Sequence, residues 1–221
     1  MWIPAKETVE YIQNRIMKWG ETNIDHFPWR EQIPDYHSLV VEMMLQRTKA
    51  EQVVDVFNRF RKEYLGPEDV IKGGLEKLME ILKPLGLSWR AKMIYEMSAV
   101  LVKKHRGKVP TDPSELKSLP GVGDYVVAAF LSLHKDIATP ILDSNIVRFY
   151  GRFFGIEYNN DSRRRKQFRF LAEIMTPKSK TKKFNYALLD FTRKVCNPHP
   201  SCNVCPVKRH CHYFKTSNPV P

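Results

Sequence analysis

The sequence lacks any long apolar segment. No uninterrupted apolar run among its 221 residues reaches the roughly 20 residues that a helix needs to cross a bilayer. Residues 1–7 do not form a basic region followed by an apolar stretch, as they would in a secretory signal. These absences argue against a membrane span and a signal peptide. We therefore expect a soluble protein of the cell interior that has no membrane partner.

Cysteine is scarce and is confined to one end of the chain. All four cysteines lie within the last 26 residues, in the order Cys196, Cys202, Cys205 and Cys211. In the cell interior, clustered cysteines ligate metal more often than they form structural disulfides. Four thiolates in one loop can hold zinc or an iron–sulfur cluster. Zinc ribbons usually pair two C-x2-C knuckles across a longer gap, so the single C-x2-C here favours a cluster, with zinc as the alternative.

Strand-like alternation is almost absent, and apolar residues recur at helical spacing. Two apolar stripes follow the pattern of an amphipathic helix: Tyr36, Leu39, Val40, Met43 and Met44, and then Val53, Val54, Phe57 and Phe60. Further helices are predicted around residues 5–19, 74–82, 89–104, 112–118, 123–134, 144–154, 162–175 and 183–194. Since 43% of the residues are apolar and can form a core, we expect an all-α fold in one unit or two small packed lobes.

Acidic residues are outnumbered by basic ones. The chain has 36 Lys and Arg against 24 Asp and Glu, a net charge of +12. This excess suits a polyanionic partner such as nucleic acid, although ribosomal and membrane-surface proteins show it too. The basic runs at 103–106, 163–166 and 178–183 are by default solvated faces.

The segment from Thr111 to Tyr125 predicts two helices joined by a tight hairpin. Asp112 can cap the first helix, with Pro113 in its first turn and Glu115 placed for a capping box. In the L-P-G-V-G turn that follows, Gly121 and Gly123 permit positive φ and leave backbone N–H groups bare of side chains. Such a turn binds a phosphate oxygen of DNA or RNA without reading its sequence. The alternative is an ordinary turn between packed helices.

Together these motifs resemble the endonuclease III and MutY superfamily of helix-hairpin-helix DNA glycosylases over residues 27–213. The matching segments are FPWR at 27–30, EMMLQRT at 42–48, LGL at 85–87, LPGVG at 119–123, ILDSNIVR at 141–148, and the terminal cysteines. One departure is in the cysteine loop. The superfamily usually places six residues between the first two cysteines, whereas this chain has five, Asn197 to Ser201.

The resemblance implies an architecture of two helical lobes. Residues 28–136 would form a central bundle with the helix-hairpin-helix, and 1–27 with 137–221 would form a second lobe with a 4Fe–4S cluster on the four cysteines. Double-stranded DNA would lie in the groove between the lobes, where Asp143 and Tyr125 would face one another. The resemblance also implies a monomer that is cytoplasmic or associated with the nucleoid.

Asp143 stands 20 residues after Gly123 and matches the catalytic aspartate of the superfamily. Breaking an N-glycosidic bond builds positive charge on the sugar, which a nearby carboxylate stabilises. The same carboxylate could orient or deprotonate the attacking water. The alternative is that Asp143 only caps the helix that begins at Ser144, and the two roles are compatible.

Tyr125 bears on the type of reaction. Bifunctional members of the superfamily have a lysine near this position that forms a Schiff base with the sugar and then cuts the strand. Tyrosine cannot form that intermediate. The G-D-Y context resembles the thymine (and uracil) mismatch glycosylases, in which this tyrosine belongs to the base pocket. The alternative is an aromatic side chain packed between helices.

Glu42 and Gln46 are four residues apart, so on one helix they project toward a shared cleft. By resemblance, Glu42 would hydrogen-bond the flipped pyrimidine or position water, the alternative being a solvated helix carboxylate. Gln46 would fill the hole that the flipped base leaves, and Leu87 would wedge beside the orphaned base. The hairpin would hold the DNA backbone through Leu119, Gly121, Val122 and Gly123.

The sequence therefore predicts a monofunctional glycosylase that removes thymine or uracil opposite guanine from mismatched DNA, without AP-lyase activity. One alternative is a MutY-like adenine glycosylase, which shares Glu42 and Asp143. Such enzymes typically add a C-terminal domain, whereas this chain stops soon after its cysteines, and Tyr125 also favours a pyrimidine. The second alternative is a non-catalytic DNA-binding protein with a structural metal, which the position of Asp143 disfavours.

Overall fold

The structure of the chain is a computed structural model that describes residues 2–86, 88–159 and 161–217. Over these ranges the chain forms helices and their connections, and no strand occurs in them. The all-α prediction is confirmed. Within the same ranges, no helix combines the length and the apolar character that a membrane span requires.

The α-helices of the described part of the chain are numbered in order. They are α1 (Lys6–Asn23), α2 (Asp35–Met44), α3 (Ala50–Glu63), α4 (Pro67–Leu82), α5 (Trp89–His105), α6 (Pro113–Ser118), α7 (Asp124–Ala129), α8 (Ser144–Phe154), α9 (Lys166–Met175), α10 (Thr181–Lys194) and α11 (His212–Ser217). A π-helical segment, Phe130–His134, continues α7. Short 3-10 turns occupy Pro28–Arg30, Lys83–Leu85, Ser162–Arg164, Cys202–Val204 and Lys208–His210.

The helices divide into two compact units. The first unit, His26–His134, contains α2 to α7, and the second contains α1 before Asp25 and α8 to α11 after Lys135. Buried apolar side chains from α2, α3, α4, α5 and α7 form one core in the first unit. The second unit is built around a close approach of α1 to α10. A Cβ added to Gly20 would lie 2.6 Å from the Cβ of Ala187, so only glycine fits there.

Two helices begin elsewhere than the periodicity predicts. The helix predicted at 74–82 is the second half of α4, which begins at Pro67 and kinks at Gly74, where φ is +81°. Proline suits the first helical turn because its missing N–H is not needed there. The helix predicted from residue 162 begins only at Lys166. The reason is that Ser162 Oγ bonds to Asn159, a side-chain turn that competes with the helix.

Candidate functional site

The hairpin of α6 and α7 forms where its residues predict it. Asp112 Oδ1 accepts hydrogen bonds from the amides of Ser114 and Glu115, at 2.9 and 3.0 Å, and so caps α6. Leu119 and Val122 bury their side chains in the core of the first unit. Only the main chain of these two residues is therefore available to a ligand.

The turn between the two helices requires one glycine for its conformation. Gly121 has a φ of +76°, and an added Cβ would lie 2.5 Å from Met43 Cε and 2.8 Å from Met93 Cβ. Both the backbone and the close packing exclude a side chain at this position. Gly123 has a φ of −93°, and a Cβ there would meet open space. Of the two glycines that permit positive φ, only Gly121 adopts it, whereas at Gly123 the missing side chain leaves the backbone uncovered.

Gln46 lies in the turn that follows α2. Its Nε2 donates to Gly121 O at 3.3 Å, which ties this turn to the hairpin. Arg90 is 1% exposed, and its Nη2 donates to Gln46 O and, at 2.9 Å, to Thr48 Oγ1. The buried guanidinium of Arg90 thus fixes the turn in which Gln46 lies. Leu87, the predicted wedge, lies outside the described residues.

Glu42 is buried in α2. Its side chain is 2% exposed, and Oε1 lies 2.9 Å from Nε2 of His134, whose side chain is 3% exposed. His134 is the last residue of the π-helical segment that continues α7. The alternative in which Glu42 is a solvated carboxylate was therefore wrong.

Tyr125 lies in the first turn of α7. It is half-buried, and its ring packs against the core of the first unit. Ala128 and Ala129 follow it on the same helix and occupy little space beyond it. The ring is thus held by the core while part of it stays accessible to a ligand.

Asp143 caps α8 with both of its carboxylate oxygens engaged. Oδ1 accepts from the Ile146 amide at 2.7 Å, and Oδ2 accepts from Asn145 Nδ2 at 3.0 Å. Burial raises the pKa of Asp143, while these two hydrogen bonds oppose the shift because they favour the charged form. The carboxylate is therefore fixed in direction at the start of a helix.

The helix that Asp143 begins reaches the cysteine loop through Arg148. This guanidinium donates from Nη1 to Asn145 Oδ1 at 3.0 Å, from Nε to Cys196 O at 2.9 Å, and from Nη2 to Thr192 O at 2.9 Å. Because Asn145 also donates to Asp143, one series of hydrogen bonds runs from the Asp143 carboxylate to the main chain of Cys196. The position of the carboxylate is thus coupled to that of the loop.

The four cysteines line a single cavity of about 340 Å³, part of it open to solvent. Burial raises the pKa of Cys196, Cys205 and Cys211, to about 12 for Cys205. Arg152 Nη1 approaches Cys196 Sγ at 3.9 Å. Among the described residues, no three His, Cys, Asp or Glu side chains are arranged to hold a single ion.

A family model matches residues 40–177, more than half of the chain. The family is the HhH-GPD superfamily of base excision DNA repair proteins. The chain belongs to this superfamily. The matched segment contains Glu42, Gln46, Tyr125 and Asp143, and the superfamily resemblance predicted from the sequence motifs is thereby confirmed.

Relatives within the HhH-GPD superfamily cover nearly the whole chain. A thymine/uracil-DNA glycosylase of Methanothermobacter thermautotrophicus is 33% identical over 90% of this chain and 91% of its own. Another, from Pyrobaculum aerophilum, is 35% identical over 96% and 95%. Among solved structures, a thermostable thymine-DNA glycosylase is 31% identical with a TM-score of 0.90, covering 95% of this chain and 98% of its own.

Three side chains that hydrogen-bond to predicted site residues were not themselves predicted from the sequence: His134, Arg90 and Arg148. The partners of His134 and Arg90 are 92 and 44 residues away in the chain, and no spacing rule connects them. A weak signal does exist for His134, which is a polar residue directly after the segment 126–133, apolar except for Ser132. Arg148 and Asn145 share one turn of helix, at a spacing that could have indicated their contact.

Proposed function

We propose that this chain is a monofunctional DNA glycosylase that releases thymine or uracil paired with guanine in double-stranded DNA. The observation that carries the proposal is the Asp143 carboxylate, fixed on both oxygens at the start of α8 and half-buried. The relatives named thymine/uracil-DNA glycosylases support it, because they match this chain along nearly its full length.

Asp143 acts on the sugar. As the base departs with the electrons of the N-glycosidic bond, positive charge develops on the deoxyribose, and an ionised carboxylate nearby lowers the energy of that state. The hydrogen bonds from Ile146 and Asn145 orient the carboxylate in advance, so no reorganisation is needed during the reaction. Each carboxylate oxygen retains a further lone pair for the sugar or for water.

Tyr125 limits the reaction to hydrolysis. It supplies no amine, so the sugar is attacked by water and the strand remains intact with an abasic site. The ring of Tyr125, which is only partly buried against the core, contacts the extruded base. Glu42 accepts a hydrogen bond from that base or from the attacking water. A mismatched base costs less to extrude than a paired one, which supplies part of the selectivity.

The DNA is held mainly through its backbone. The net charge of +12 favours binding to a polyanion, and the turn at Gly121 and Gly123 offers main chain without side chains to a phosphate. Gln46 fills the gap left by the extruded base, and Leu87 wedges beside the remaining partner. The chain acts as a monomer, in the compartment that holds the DNA.

The cysteine loop holds a 4Fe–4S cluster, with zinc as the alternative. Cys196, Cys202, Cys205 and Cys211 supply four thiolates around one partly open cavity. Deprotonated thiolates are costly where burial raises their pKa, and a bound cation compensates that cost. When bound, the cluster supplies structural cross-links between the loop segments.

The test is a panel of duplexes, each with one candidate base pair: T·G, U·G, T·A, and adenine opposite oxidised guanine. Each duplex is incubated with the protein and then treated with alkali, which breaks the strand at abasic sites. We expect breaks in T·G and U·G only, and no strand break before alkali. We also expect borohydride to trap no protein–DNA adduct. Release of adenine with thymine untouched would reject the substrate, and an efficient borohydride adduct would reject the monofunctional mechanism.

A further inference from the structure

Glu42 and His134 form a buried pair in the first unit. Glu42 Oε1 and His134 Nε2 are 2.9 Å apart, and both side chains are more than nine-tenths buried. Oε2 of the same carboxylate makes no hydrogen bond in the part of the chain that the structure describes. A carboxylate removed from water is costly unless a donor compensates its charge, and here one imidazole does so.

An irregular helical segment determines the position of this imidazole. After Ala129 the helix widens into the π-helical turn Phe130–His134, which packs against α2. In a π-helix the hydrogen bond spans five residues instead of four, so each side chain is rotated from its position in an α-helix. His134 ends this segment, and its imidazole contacts Glu42 near the end of α2.

We propose that His134 is a positioning residue for Glu42 that contributes to selection of the base. By donating to Oε1, the imidazole fixes the carboxylate and leaves Oε2 as the acceptor. Thymine and uracil each present an N3–H donor, whereas the N3 of cytosine is an acceptor. An acceptor-only oxygen at this position therefore favours thymine and uracil over cytosine. The inference rests on the proposed function, because it requires that Glu42 meet the extruded base.

Two amide variants of His134 test the proposal. In His134→Gln, the side-chain N–H lies about where Nε2 lies in histidine, so it can still donate to Glu42. In His134→Asn, the same amide is one methylene shorter and cannot reach. We expect the single-turnover rate on T·G duplex to stay within about fivefold of wild type for His134→Gln. For His134→Asn we expect a fall of about 10- to 100-fold, the loss of one hydrogen bond to a charged group.

The matched control is His37, another buried histidine in the first unit. It lies on α2 with Glu42, is 5% exposed, and its Nε2 makes one hydrogen bond, 2.8 Å from Tyr64 O. His37→Asn should lower the thermal midpoint without changing the rate below that midpoint. DNA affinity, measured by fluorescence anisotropy, should be unchanged in all three variants, since none of the changed groups contacts phosphate.

The outcomes separate this inference from the proposed function. A wild type that releases neither thymine nor uracil overturns the proposed function and this inference together. An active wild type with equal rates for His134→Asn and His134→Gln overturns the inference alone. It is also overturned if His37→Asn lowers the rate as much as His134→Asn does, or if the loss in His134→Asn appears in DNA affinity instead of in the rate. If Glu42→Gln and His134→Asn act through one interaction, the double variant is no slower than Glu42→Gln alone.

Discussion

Both oxygens of the Asp143 carboxylate accept hydrogen bonds, and burial raises its pKa. Capping and the proposed catalysis require different properties of this residue. A cap needs only an acceptor oxygen, whereas charge stabilisation needs the ionised carboxylate. Asparagine meets the first demand and fails the second. This difference makes the two roles separable by a single substitution.

We predict that Asp143→Asn binds duplex DNA with wild-type affinity and releases thymine at least about 100-fold more slowly. Its thermal stability should change little, by about 1 kcal/mol or less, because asparagine caps helices about as well as aspartate. Asp112→Asn is the control, since Asp112 caps α6 in the same manner. Single-turnover kinetics, anisotropy and thermal melts measure the three properties. Near-normal turnover in Asp143→Asn would leave Asp143 with the role of cap alone.

The raised pKa of Asp143 predicts a pH dependence. In the proposed mechanism the carboxylate is the active form, so the rate should fall as the pH drops, with a midpoint above about 3.9, the ordinary value for aspartate. The raised pKa also changes the free energy of unfolding, in the opposite direction to the lowered pKa of a salt-bridged aspartate. The native state holds this proton more tightly than the unfolded chain does, so ionisation destabilises the fold above the raised pKa, and the effect vanishes below the ordinary pKa. Rates on T·G duplex between pH 4 and 8 would show the midpoint, and a flat profile would contradict the assignment.

Among the helices, α8 connects Asp143 with the cysteine loop. Asp143 lies at its start, and Arg148 and Arg152, about 1.4 and 2.5 turns further along, hold the main chain of the cysteine loop. A change in the loop can therefore shift the helix that orients the carboxylate. Arg148 donates to three acceptors at once, a geometry that suits a planar guanidinium and that an ammonium cannot reproduce.

We predict that Arg148→Lys lowers the rate of base release and also the thermal midpoint, while its DNA affinity is retained. The rate should fall by about tenfold, since the Asn145 contact that orients Asp143 is lost together with loop contacts. Arg169→Lys, on the exposed face of α9, is the control and should match wild type. A wild-type rate in Arg148→Lys would show that Asn145 holds Asp143 without help from the loop.

The sequence predicted which helices form more accurately than it predicted the residues at which they begin. Most helices lie where apolar periodicity places them, because an amphipathic stripe depends only on nearby residues. The start of α4 at Pro67 and the turn before α9 depend on a kink and on a side-chain hydrogen bond, which periodicity does not detect. The candidate site residues show the same difference between local and long-range signals. Asp143 and Tyr125 stand in local motifs, whereas the pairing of Glu42 with His134 appears only once the chain has folded.

The cysteine loop, between the end of α10 and the start of α11, is the segment of the second unit whose folding we expect to depend on a bound group. Its residues are short 3-10 turns and connections, with the cavity between them. Packing against α8 comes through Arg148 and Arg152, and Tyr11 of α1 donates to Pro206 O at 3.4 Å. These contacts do not join the four half-buried thiols to one another, so the proposed ligation would couple metal binding to folding.

We predict that the purified protein is brown, absorbs in the visible through sulfur-to-iron charge transfer, and contains about four iron atoms per chain. Cys202→Ser should lose the colour and lower the thermal midpoint more than any change that spares the thiolates, because one of four cross-links in an irregular loop is removed. Ser201→Ala, next to it in the chain, is the control and should keep both colour and stability. Whatever fraction of Cys202→Ser stays folded should bind DNA with wild-type affinity, since the proposed phosphate contacts lie in the first unit. A colourless wild type with one zinc per chain would replace the cluster by zinc, and a stable, fully active Cys202→Ser would show that the loop folds without ligation.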